Sequence, residues 1–236
     1  MGIIVYNGKS SQDYSILVEH PPGYEYPEKD LEITHVPGRN GDVVYDTGSY
    51  QNVDRPYEIA FPAIKERYED VANRVSEWLH SARTYARLED SYEPEYYRLA
   101  IYKESNALEN ILRGAGRTTI LFNCKPQRFL KSGEETHLFT RAGSIFNPTG
   151  FESLPIIKLT TTAATNFSIN GNVIQILQAC TDLVINSDIQ DCYAGTLNKN
   201  SIVRLSEFPT LSPGINSINF VSGISKLEIT PNWWTL

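Results

Sequence analysis

The chain is 236 residues long, with 21 Lys and Arg against 28 Asp and Glu, a formal net charge of −7 and a pI near 5.2. That length suits two domains better than one core, and an acidic balance without a basic run long enough to neutralise a phosphate backbone argues against direct nucleic-acid binding. No segment approaches the ~20 apolar residues of a membrane span, and the opening MGIIVYNGKS lacks a basic n-region, an h-region and a cleavage site, so neither a membrane anchor nor a secretory leader is expected.

Charge divides the chain. Residues 1–130 carry 15 basic and 20 acidic side chains, and residues 131–236 carry 6 and 8. The second part is rich in Thr, Ser, Asn and Ile, the composition of an all-β sandwich. Cys124, Cys180 and Cys192 are odd in number and lack metal-ligand spacing, so free thiols made in a reducing cytoplasm are expected.

In chain order, Ile3–Tyr6 and Tyr14–Val18 are short β-type runs separated by Asn7-Gly8, an opening hairpin. Leu31, Ile33 and His35 alternate with polar neighbours and predict a half-buried strand. It feeds VPGRNGDVVYDTGSYQNV, residues 36–53, where Pro37-Gly38 supplies one tight turn and Asn40-Gly41 fits a type I′ hairpin turn. Tyr57, Ile59 and Phe61 predict another half-buried strand, closed by Pro62. Ile64, Tyr68, Val71, Val75, Trp78, Leu79 and Ala82 lie on one helical stripe opposite a charged face, with Trp78 read as core. Thr84–Leu88, Tyr96–Lys103 and Thr118–Cys124 predict further strands, with a helical turn at Asn106–Leu112 broken by Gly114-Ala115-Gly116. Residues 131–144, with Gly133 and Gly143, read as a linker or a loose exposed strand. From Pro155 onward seven to eight short apolar runs recur, with Asn170-Gly171 as a second hairpin signal, and argue a β-sandwich.

The search for chemistry is largely negative. His20, His35, His80 and His137 are scattered, no nucleophile elbow or phosphate loop is complete, and neither metal, cofactor nor enzymatic activity is expected. Glu89, Asp90, Glu93 and Glu95 could serve glycoside hydrolysis only as a facing pair; in a charged segment with Pro94 they read as solvated. Trp233 and Trp234 could stack on a sugar, although packing of a terminal strand on the core and on a neighbour is the favoured reading of them.

Four stretches in order carry a family resemblance: the Pro-Gly-Arg-x-Gly-Asp turn at residues 37–42, FNCKPQRF at Phe122–Phe129, IFNPTGFESLPIIKL at Ile145–Leu159, and FPTLSPGINSINF at Phe208–Phe220 followed by EITPNWWTL at Glu228–Leu236. Together they resemble the distal tail (Dit) proteins of long-tailed, siphovirus-type phages and prophages. The resemblance implies a mainly β fold: an α+β N-terminal belt domain with one main helix over residues 1–130, the linker at 131–144, and an all-β galectin-like sandwich over 145–236.

It also implies a structural hub at the tail tip, a virion protein assembled in the bacterial host cytoplasm. Six belt domains would form a ring, back to back when isolated, joining the tail tube to a tail-associated lysin or fibre and to receptor-binding or baseplate proteins. Arg39, Asn40, Asp42, Tyr45, Asp46 and Tyr50 are the candidates for subunit contacts, because the turn offers charge and tyrosines suit interfaces. The alternative is a carbohydrate-binding module in the sandwich, using Trp233 and Trp234.

Overall fold

In the computed structural model, residues 2–23, 25–61, 67–103, 117–220 and 222–236 are described. The expected helical turn at Asn106–Leu112, the glycines at 114–116, Ile64 and Pro62 fall outside them. The fold is mainly β, with α1 the α-helix among the described residues. Two compact units emerge, Met1–Arg128 with Leu236, and Phe129–Thr235.

The first unit contains β1 (Ile4–Tyr6), β2 (Lys9–Ser10), β3 (Leu17–Val18), β4 (Lys29–Thr34), β5 (Val43–Tyr50), β6 (Val53–Ala60), α1 (Tyr68–Leu79), β7 (Ala86–Asp90), β8 (Tyr96–Tyr102) and most of β9 (Arg117–Leu130). Its main sheet runs in the order β2-β1-β7-β8-β9-β6-β3. The opening hairpin is tighter than expected, because Asn7 and Gly8, both at positive φ, join β1 directly to β2. The run at Tyr14–Val18 contributes β3, which pairs with β6.

Helix α1 covers this sheet with the stripe read from sequence. Val71, Val75, Trp78 and Leu79 are buried. Trp78 stacks on Tyr14 at 4.8 Å and donates its indole N–H to the Tyr6 carbonyl at 3.0 Å, so its one polar atom is satisfied inside the core.

Below the far end of β7 lies a buried ion cluster. Glu93 accepts from Arg55 at 2.6 Å, Arg128 at 2.6 Å and Arg98 at 3.1 Å. Asp90 accepts from Arg55 at 3.1 Å and from the Tyr57 hydroxyl at 2.8 Å. Arg128 also donates to the Leu236 carbonyl at 3.0 Å. The expectation that these acids are solvated is therefore corrected for Asp90 and Glu93: β6, β8 and β9 bring three guanidinium groups to them, and two of the three, Arg55 and Arg128, are distant in sequence. Burial raises the Tyr57 phenol well above its ordinary range, and Asp90 beside it adds to the rise. Burial alone would lower Arg55, but Tyr57, Glu93 and Asp90 hold it above its ordinary value.

The second unit continues from the end of β9 through β10 (His137–Phe139), β11 (Gly143–Asn147), β12 (Ile156–Thr161), β13 (Thr165–Ile169), β14 (Asn172–Ile176), β15 (Cys180–Asn186), β16 (Asp191–Ala194), β17 (Leu197–Asn198), β18 (Val203–Arg204), β19 (Gly214–Phe220), β20 (Ile224–Thr230) and β21 (Trp234–Thr235). A six-stranded sheet, β10-β20-β12-β15-β16-β17, and a five-stranded sheet, β11-β19-β13-β14-β18, contribute to one core that includes Ile157, Leu183, Ile229, Phe167, Ile174 and Ile218. The stretch 131–144, expected as a linker or a loose exposed strand, holds a 3-10 turn, β10 and the start of β11. Those strands sit at sheet edges; β10 has no fully buried side chain and β11 two, which leaves little apolar signal.

The turn motifs have structural explanations. Asn147 is buried and uses both ends of its amide: Oδ1 accepts from the Thr149 N–H at 2.9 Å and hydroxyl at 2.8 Å, and Nδ2 donates to the carbonyls of Phe151 at 2.9 Å and Leu211 at 3.0 Å. Asn216, also buried, donates to the Ser212 and Gly214 carbonyls and accepts from Asn170 at 2.7 Å. Asn170 and Gly171 both lie at positive φ between Ile169 and Asn172, a paired couple, which is the type I′ hairpin expected there.

The cysteines are free among themselves. Cys124 and Cys192 are buried and Cys180 is partly exposed. Burial pushes the Cys124 thiol up to about 12, and burial with the nearby Asp191 pushes Cys192 to about 11. Maleimide at pH 8 is expected to label the native chain at Cys180 alone, with the other two reacting only after denaturation; mass mapping that finds Cys124 labelled in the native protein would contradict this burial.

Candidate assembly surface

Among the described residues, strands β4 and β5 pair only with each other, as a two-stranded arm separate from the main sheet. Every residue of β4 is exposed, and so is every residue of β5 except Tyr50. The half-buried strand expected from Leu31, Ile33 and His35 is thus corrected: alternation is present, but every residue of the strand is exposed and no layer of the described residues covers either face. The signal was legible in Val43-Val44-Tyr45, three consecutive apolar side chains that a pleated strand must distribute to both sides.

Register assigns the faces. Leu31 opposite Asp46 and Ile33 opposite Val44 share one face, while Glu32 opposite Tyr45 and Thr34 opposite Val43 share the other. Ile33 is 62% exposed and Tyr45 64%. A lone two-stranded ribbon is marginal in water, and this one displays branched and aromatic side chains on both faces as well as two unpaired backbone edges.

Local chemistry holds the arm's shape. At the tip the Arg39 N–H donates to the Val36 carbonyl at 3.2 Å, closing a turn with Pro37 at its second position and Gly38, at φ +81°, at its third. That is a type II turn, which needs glycine there. Gly41 lies at φ +79° but Asn40 is not at positive φ, so Asn40-Gly41 does not make the expected type I′ turn. The strands stop pairing at Thr34 and Val43, leaving an eight-residue connection in which a two-residue loop has no role.

At the base Lys29 reaches Asp46 at 2.7 Å, raising the lysine and lowering the carboxyl through that hydrogen bond. His35 contacts Asp42 at 3.1 Å. A bulge lies between Lys29 and Leu31, where the Thr47 hydroxyl donates to the Asp30 carbonyl at 2.7 Å.

All six candidate residues therefore lie on this arm, at its tip or along β5. Asp42 and Asp46 are already engaged within it, Tyr45 is open, Tyr50 is half-buried, and Asn40 and Arg39 are exposed at the tip. What the candidate set lacks is the aliphatic part, Leu31, Ile33, Val43 and Val44. Trp233 is 3% exposed in the second unit's core, and Trp234 stacks on Phe151 at 4.5 Å and donates to the Glu152 carbonyl at 2.8 Å. Trp233 offers no ring face to a sugar. No cluster of His, Cys, Asp and Glu suited to a metal occurs among the described residues.

No protein-family model and no curated protein matches the sequence. Among solved structures, the chain is similar to the protein described as "SPP1 Dit (gp 19.1) Protein, a Paradigm of Hub Adsorption Apparatus in Gram-positive Infecting Phages", with a TM-score of 0.77, 14% identity and full coverage of both chains. The fold of this protein is that of SPP1 Dit over its whole length.

Proposed function

We propose that this protein is a distal tail hub of a long-tailed phage or prophage, non-enzymatic and without a cofactor. The observation that carries this reading is the full-length correspondence of both units to the SPP1 hub protein. In it, six first units close a ring that continues the tail tube on one side and receives the tail-associated lysin or fibre on the other, while the second unit, taken as galectin-like, serves as a docking point for receptor-binding or baseplate proteins. The site is the virion tail tip, after assembly in the bacterial host cytoplasm.

The arm supplies the contact such a ring needs. A head-to-tail interface requires two different surfaces that meet identically in every copy, and the arm offers two apolar faces and free strand edges to a neighbour. Arg39 at the tip and Asp46 at the base add charge. The purified protein is expected to show six-fold rings by negative stain, singly or back to back. Arg39→Glu combined with Asp46→Lys is expected to shift the assembly toward monomer in multi-angle light scattering; a double reversal is needed because single rim charges are worth only ~0 to 1 kcal/mol. Intact rings in the double variant would remove those charges from the contact, and a chain that stays monomeric even with tail-tube protein would overturn the hub reading.

A further inference from the structure

Asn-Gly occurs three times, at Asn7-Gly8, Asn40-Gly41 and Asn170-Gly171, and all of these residues are exposed. In this dipeptide an asparagine amide reacts most readily with its own chain, because glycine has no Cβ to keep the asparagine side chain from swinging over the next N–H. The side chain and the backbone must be free to meet. Since water reaches all three sites, conformation is what separates them.

Two of the three are locked. Asn7 and Gly8, both at positive φ, join the paired Tyr6 and Lys9, and the Asn7 amide donates to the Ser81 hydroxyl at 3.0 Å. Asn170 and Gly171, also both at positive φ, join the paired Ile169 and Asn172. The Asn170 amide is held at both ends, donating to Asn216 at 2.7 Å and accepting from the Ser217 N–H at 2.9 Å. Asn40-Gly41 has neither restraint. It lies in the connection between Thr34 and Val43, no described residue hydrogen-bonds the Asn40 side chain or the Gly41 N–H, and a Cβ at Gly41 would meet nothing within 4 Å.

We propose that Asn40 is a site of spontaneous self-modification, deamidating in the unassembled chain. The Gly41 backbone nitrogen attacks the Asn40 Cγ and gives up its proton, a succinimide ring closes, and Nδ2 of Asn40 leaves as ammonia with that proton. Water then opens the ring at either carbonyl. One opening gives aspartate; the other gives isoaspartate, in which the main chain runs through the side chain and is a methylene longer. The balance is water in and ammonia out, with no oxidant or cofactor, and the new carboxylate makes the net charge of −7 one unit more negative. That carboxylate stands beside Arg39 and offsets its guanidinium at the arm's tip. The consequence for assembly rests on the ring reading: a tip with altered charge and backbone is a poorer contact, so unassembled chains lose competence with age, whereas a neighbour packed on the tip holds Asn40 still.

The test ages the full chain in mildly alkaline buffer, native and in urea. Peptide mapping by mass spectrometry counts the acid formed at each Asn-Gly, and isoaspartate methyltransferase labels the isoaspartyl product. In urea the three sites should react comparably. In the native chain, acid and isoaspartate should accumulate at position 40 at close to the urea rate, with positions 7 and 170 slower by roughly tenfold or more because their turns and hydrogen bonds must open first. Asn40→Gln should abolish the fast signal and leave the slow pair unchanged. Equal native rates at the three sites, or a position 40 as slow as the other two, would overturn the proposal. Mapping reads the chemistry whatever the oligomeric state, and light scattering reads its consequence, with Asn40→Asp expected to favour monomer relative to Asn40→Gln. Rings formed equally by those two variants would overturn the assembly role while the mapped chemistry stands.

Discussion

Glu93→Ala is expected to destabilise the first unit by about 3–5 kcal/mol, the scale for removing one partner of a buried ion pair. Glu93 is the shared acceptor of Arg55, Arg98 and Arg128, and its side chain is only 8% exposed. Without it, three guanidinium groups held by β6, β8 and β9 repel one another with Asp90 alone beside Arg55. Scanning calorimetry should show the transition of the first unit moving down while that of the second stays in place, because every partner of Glu93 named here lies in the first unit. Tyr57→Phe, which removes one neutral donor to Asp90, should cost about 1–3 kcal/mol, clearly less. A Glu93→Ala protein within 1 kcal/mol of the parent would mean that the cluster rearranges or admits water.

The second large effect concerns assembly. Ile33→Asp with Val44→Asp places two carboxylates opposite each other on one face of the arm. Since both side chains are already exposed, folding of the monomer should hardly change, and the calorimetric transitions should stay within about 0.5 kcal/mol of the parent. If the arm packs against a neighbouring copy, burying those charges in an apolar contact forbids association, and rings should be absent at every practical concentration. Rings that persist would place the subunit contact elsewhere on the first unit and leave this face of the arm free for the tube or the lysin.

Much of the fold was legible in the sequence where a residue's local demand and its tertiary environment agree. The helical stripe through Trp78 is buried as its period predicts, and Asn170-Gly171 makes the type I′ turn because the strands on either side pair up to it. Asn40-Gly41 is the same dipeptide in a longer connection, where Pro37-Gly38 already reverses the chain. Chemistry alone could not rank the two turns. The exposed arm is half legible: charge and tyrosines make its residues contact candidates, but alternation at Leu31 and Ile33 describes a strand, not whether anything covers it. Glu93 was hidden for a different reason. Two of its three arginines are 38 and 35 residues away, and the third, five residues on, reaches it only because β8 turns back beside the loop, so the local sequence around Pro94 reads as solvated. The exposed edge strands β10 and β11 match the second of the two readings of residues 131–144, and edge strands carry too little apolar sequence to separate it from a linker.

The strand order of the first sheet has a consequence for synthesis. β6 lies between β3 and β9, and its Val53 pairs with Cys124 of a strand made some seventy residues later. β1 likewise waits for β7. As the chain leaves the ribosome, β6 is exposed on one edge beside the arm until β9 emerges to pair with it, while the arm stays open afterwards as well. Chaperone dependence in the cell should therefore peak in the window between translation of β6 and of β9, and nascent chains stalled there should be the aggregation-prone species.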